Sequence, residues 1–141
     1  MGYIAIVDYG VGNLKSVSNA FAYLGTETRI TGDPAELERA EGIILPGVGA
    51  FPDAADKLSA AGMGQAVIRQ GAHKPVMGIC LGMQLLLEQG LEIRPCPGLG
   101  MQRRLFAGQQ ISMLLSNYLK SNVNCRHSIL AKISLAILKH S

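Results

Sequence analysis

Acidic residues stop early: no aspartate or glutamate follows Glu92 in this chain of 141 residues. Cysteine and histidine are scarce, at three each, and tryptophan is missing. Cys80, Cys96 and Cys125 are an odd set with no paired spacing, which argues against a disulfide framework and for a reducing compartment. These cysteines and His73, His127 and His140 are scattered, so no metal-ligand pattern arises. No basic segment precedes the apolar run Tyr3-Ile4-Ala5-Ile6-Val7, and that run is too short for a secretion signal. Ile6 stands where an N-myristoylation motif needs Ser or Thr. No apolar stretch reaches the roughly 20 residues that span a bilayer. Together these absences predict a cytoplasmic protein without a membrane partner.

What is present suits one ordinary α/β domain: 48% of the residues are hydrophobic and 16% charged. Short apolar runs at 3–7, 26–30, 42–45 and 76–79 predict buried strands. Between them, helical spacing predicts helices over 14–24, 34 to about 39, about 52–61, 64–71 and 81–89. Asn13 is placed to cap the first of these, and Asp33-Pro34 with Glu36 to start the second. Strands alternating with helices imply a parallel sheet whose carboxyl ends share one side. The loops after the first, third and fourth strands should therefore meet.

The fourth strand leads into Gly78-Ile79-Cys80-Leu81-Gly82, then a run of helix formers. This is the pattern of a nucleophile elbow, a strand-turn-helix that lifts one side chain above the sheet, with Cys where Ser is common. The turn requires small residues two before and two after the nucleophile, and Gly78 and Gly82 meet that requirement. The positive start of the helix is expected to favour a reactive thiolate at Cys80. A lone cysteine in an apolar run is more often core, but the flanking glycines weigh against that. The third-strand loop, Pro46-Gly47-Val48-Gly49-Ala50-Phe51, could turn backbone N–H groups into a cleft, as an oxyanion site needs, or be an ordinary loop. The first-strand loop, Asp8-Tyr9-Gly10-Val11-Gly12-Asn13, could cradle phosphate or be a tight turn, and it lacks the third glycine of the dinucleotide fingerprint.

These motifs carry a resemblance. The third-strand loop followed by Gly78-Ile79-Cys80-Leu81-Gly82-Met83-Gln84 resembles the class I, triad-type glutamine amidotransferases. The opening Asp8-Tyr9-Gly10-Val11-Gly12-Asn13-Leu14-Lys15-Ser16-Val17 narrows it to the glutaminase subunits of imidazole glycerol phosphate synthases. The resemblance covers about residues 1–90. It implies a three-layer, flavodoxin-like α/β fold around a parallel sheet, and glutamine hydrolysis at Cys80. It implies further that Leu81 and the Gly47, Val48 and Gly49 strand form the oxyanion site and that Gln84 helps hold glutamine. Ammonia would pass to a barrel-shaped cyclase subunit as heterodimer partner, for histidine biosynthesis, with no cofactor and no nucleic acid.

The chemistry also needs a His oriented by a carboxylate. No such pair follows the elbow: Ser128 and Ser141 come after His127 and His140, and His73 precedes the elbow strand. The fold is therefore expected to be incomplete on its C-terminal side and the chain inactive. Residues 1–92 carry six Lys/Arg and ten Asp/Glu, whereas residues 93–141 carry seven Lys/Arg and no acid. This change predicts an amidotransferase part over 1–92 and an atypical basic tail over 93–141. It suits a frameshifted or misjoined terminus better than a second domain. Helical spacing recurs at 109–119 and 128–138, but no strand signal is evident in the tail. Its spread-out charge suits a solvated face better than a nucleic-acid site. Two other readings remain: a catalytically dead fragment, and a thiol hydrolase of the dienelactone type, which would lack the third-strand loop motif.

Overall fold

Residues 2–90 and 96–106 are described by the structure, a computed structural model. The apolar runs form a parallel sheet of four strands: β1 (Ile4–Val7), β2 (Thr28–Thr31), β3 (Gly42–Leu45) and β4 (Val76–Gly78). Their order is β2-β1-β3-β4, the flavodoxin-like arrangement in which the first strand lies inside. Ile6 pairs with both Ile30 and Ile44, and Leu45 with Gly78. Every residue of β1 and β3 is buried, as continuous apolar strands must be when helices cover both faces.

Tyr3, Ala5, Val7, Ile43 and Leu45 share one core with the helices that follow β2. Ile4, Ile6 and Ile44 alternate to the opposite layer, where Phe21 of α1 (Leu14–Tyr23) is buried. Asn13 caps α1 by accepting the Ser16 amide at 3.3 Å, and Asp33 caps α2 (Pro34–Arg39) by accepting that of Ala35 at 2.9 Å. α3 (Phe51–Ala60) and α4 (Met63–Gly71) bury Phe51, Leu58, Met63 and Val67 against the sheet. Each such side chain contributes about 1.5–3 kcal/mol by leaving water.

The helix expected over 81–89 is a correction. α5 (Leu81–Leu85) ends after five residues, and Leu87–Gly90 becomes β5. β5 pairs antiparallel with β6 (Cys96–Pro97) and parallel with β7 (Gln102–Phe106) in a second sheet. The cause is tertiary. The amides of Leu99, Met101 and Gly100 donate to the carbonyls of Leu85, Leu86 and Leu87 at 2.8, 3.0 and 3.0 Å, engaging groups that a longer helix would use for its next turn. At Gly98 any side chain would overlap the Leu87 carbonyl oxygen, so the approach requires glycine. β6 and β7 also correct the expectation that no strand follows residue 92. The helices expected at 109–119 and 128–138 lie outside the described residues.

Candidate active site

β1, β3 and β4 run parallel, so the loops that leave them meet at one edge of the sheet. Cys80 stands between β4 and α5 with φ 53° and ψ −124°, and among the described residues it alone takes a positive φ without being glycine. Such a backbone costs about 1–3 kcal/mol and persists only where its surroundings dictate it. The surroundings here are tight. A side chain at Gly78 would overlap the backbone of Met83, and one at Gly82 would overlap the Leu45 carbonyl oxygen. The Ile79 amide donates to that same oxygen at 3.0 Å, extending the β3–β4 ladder to the foot of the elbow. The outcome is an exposed Cys80, whereas Cys96 is buried with its Sγ 3.9 Å from the Pro97 carbonyl.

The loop 46–50 lies against the first turn of α5. A Cβ on Gly47 would come within 2.7 Å of the Gly82 nitrogen and 3.1 Å of the Leu81 carbonyl carbon. Val48 is exposed, and Gly49 takes φ +90°, which L side chains rarely adopt. The amides of Gly47, Val48, Gly49 and Leu81 donate to no group among the described residues. Unpaired donors beside an exposed thiol are what acyl transfer through an oxyanion uses. Gln84 sits half-buried on α5, four residues beyond Cys80.

Tyr9 enters from the first loop. It is buried, and its hydroxyl donates to the Pro46 carbonyl at 2.6 Å. Burial pushes the phenol up to about 12. A Cβ on Gly12 would stand 3.2 Å from the Pro46 Cβ, so this loop packs on the next one. Nothing in the sequence pattern singles out Tyr9. The available signal was an aromatic hydroxyl two residues after a buried strand, which needs a partner when buried. Of the two readings of the first loop, the tight turn fits: the Asp8 carboxylate accepts the Gly10 amide at 3.2 Å, and a carboxylate there opposes a phosphate.

His73 is exposed in the turn before β4, at the opposite end of that strand from Cys80. His127 and His140 lie outside the described residues. Among the described residues no cluster of His, Cys, Asp or Glu could hold a metal ion, and no helix is long and apolar enough to cross a membrane. A cavity of about 300 Å³ between α3, α4 and the segment 96–99 is lined by Ser59, Gln65, Leu85 and Cys96, not by Cys80 or the loop 46–50.

Comparison with known proteins agrees with this geometry. The sequence model of the family "Glutamine amidotransferase class-I" matches residues 5–135. Imidazole glycerol phosphate synthase subunit HisH of Symbiobacterium thermophilum is 52% identical over 102 residues, covering 72% of this chain and 48% of that protein. The subunit of the same name from Sulfurimonas denitrificans is 54% identical over 99 residues, 70% of this chain and 48% of that protein. That of Bacillus thuringiensis is 44% identical over 122 residues, 83% and 58% respectively. The chain thus spans about half the length of the relatives it matches. A crystal structure of a glutamine amidotransferase shares the fold, with a TM-score of 0.63 at 20% identity over 78% of this chain and 60% of that one.

Proposed function

The chain belongs to the class-I glutamine amidotransferases, and on that premise we propose that it is the glutamine-hydrolysing part of an imidazole glycerol phosphate synthase. The observation that carries the reading is the exposed Cys80 at φ 53°, in an elbow whose Leu81 amide, like those of the adjoining Gly47, Val48 and Gly49, donates to no group among the described residues. Similarity to HisH subunits over about 100 residues supports the choice of synthase.

In this reading the Cys80 sulfur attacks the side-chain amide carbon of glutamine. The amides of Leu81 and of the Gly47–Gly49 strand hold the oxyanion, and Gln84 helps seat the substrate. Collapse of the tetrahedral intermediate breaks the C–N bond, the departing nitrogen taking a proton from water and leaving as ammonia, and the thioester left on Cys80 is then hydrolysed by water to glutamate. The ammonia passes to a barrel-shaped cyclase subunit, the heterodimer partner, in the cytoplasm, for histidine biosynthesis. No cofactor enters these steps. A glutamine-shaped chloroketone tests the reading, with tryptic mass spectrometry as the readout. Saturable modification of Cys80 well ahead of Cys96 and Cys125 is expected. Equal modification of all three cysteines under native conditions would sink it.

A further inference from the structure

An oxyanion site made of backbone amides is only as good as the loop that carries them. The segment Gly47-Val48-Gly49 is poorly constrained by its own chemistry, since two of its three residues are glycine and Val48 is 56% exposed. Its amides find no partner among the described residues. Something outside the segment must therefore set the direction in which those amides point.

The structure supplies an anchor at the segment's first peptide. The Tyr9 hydroxyl donates to the Pro46 carbonyl at 2.6 Å, joining residues 37 apart in sequence. That carbonyl belongs to the peptide plane whose nitrogen is Gly47. The same oxygen of Tyr9 lies 3.0 Å from where a Gly47 Cβ would stand, and the Gly82 nitrogen is 2.7 Å from that point. Gly47 thus packs closely against both the phenol and the first turn of the nucleophile helix. We propose that Tyr9 is the positioning residue of the oxyanion site: its hydrogen bond orients the Pro46–Gly47 peptide, and through it the amides of the loop, toward Cys80. Because burial holds the phenol protonated up to about 12, the bond persists across the physiological range. The inference rests on the functional reading above and goes beyond it by adding a residue that touches neither glutamine nor the thiol.

Two probes of the full chain separate this role from a structural one. Iodoacetamide alkylates a thiolate by direct displacement of iodide and uses no oxyanion, whereas the chloroketone first adds the sulfur at its carbonyl carbon, forming an oxyanion, before the sulfur shifts to displace chloride and leave a thioether ketone. In Tyr9→Phe the ring stays and only the bond is lost. Chloroketone capture of Cys80 at saturation should slow about tenfold, the effect of losing one hydrogen bond that aligns the donors acting only in the transition state. The concentration for half-saturation should change little, and iodoacetamide alkylation of Cys80 should stay within about twofold. Unchanged saturated capture, or equal slowing with both probes, would overturn the inference while leaving the functional reading intact. Reaction of the buried Cys96 in Tyr9→Phe would show a fold-holding bond and overturn it as well. No saturable capture in the unsubstituted chain would overturn the functional reading and this inference with it.

Discussion

At Gly82 a single methyl group decides whether the elbow can form. A Cβ there would overlap the Leu45 carbonyl oxygen, an atom of β3 already accepting the Ile79 amide. Backbone cannot rotate aside as a side chain can, so Gly82→Ala is expected to cost about 3 kcal/mol or more, near the upper range for overpacking. Urea unfolding followed by circular dichroism measures this. An alanine variant with an unchanged midpoint would mean that α5 can retreat from β3. The need for small residues at positions 78 and 82 was legible in the sequence, because the Gly-x-Cys-x-Gly spacing carries it. The part of Tyr9 was not legible, since its partner at Pro46 is 37 residues away and only the sheet brings them together.

Among the elements, α2 shows how a short helix is kept. Six residues cannot sustain a helix alone in water. Asp33 satisfies one end, as its sequence predicts. At the other, the Lys74 ammonium donates to the carbonyls of Leu37, Glu38 and Ala40 at 2.8, 2.6 and 2.8 Å, placing positive charge at the negative helix end. Lys74→Met keeps the aliphatic stem and deletes those bonds, with an expected loss of about 2 kcal/mol. Thermal melts of the two proteins provide the check, and a difference below about 0.5 kcal/mol would show that water replaces the ammonium at no cost. Neither this cap nor the early end of α5 is visible in local pattern. Leu85, Leu86 and Leu87 continue a good helical sequence, and only the amides of residues 99–101 turn the chain into β5.

For the whole molecule, the proposed chemistry demands a proton donor for the departing nitrogen. No carboxylate follows Glu92 to orient a downstream histidine. A polypeptide of these 141 residues is therefore expected to turn over glutamine near background even with the cyclase subunit present, since a hydrolase triad without its histidine is slower in kcat by on the order of 10⁶. Cyclase activity fed with ammonium salts should be unaffected. A coupled glutamate assay reads the first and product formation the second, and glutamine turnover within about tenfold of an intact synthase would refute the expectation. By itself the sequence determined the parallel sheet, the meeting of three loops at one edge and Cys80 at the tip of an elbow. Those features depend on apolar runs, glycine spacing and capping residues, all of which act between near neighbours. The tertiary structure alone decided that the first loop braces the third and that Lys74 closes α2. It also decided that the segment 96–106 turns the chain after α5 into strand. Each of these depends on a polar group whose partner is distant in sequence, and burial makes such a group costly until the fold supplies that partner.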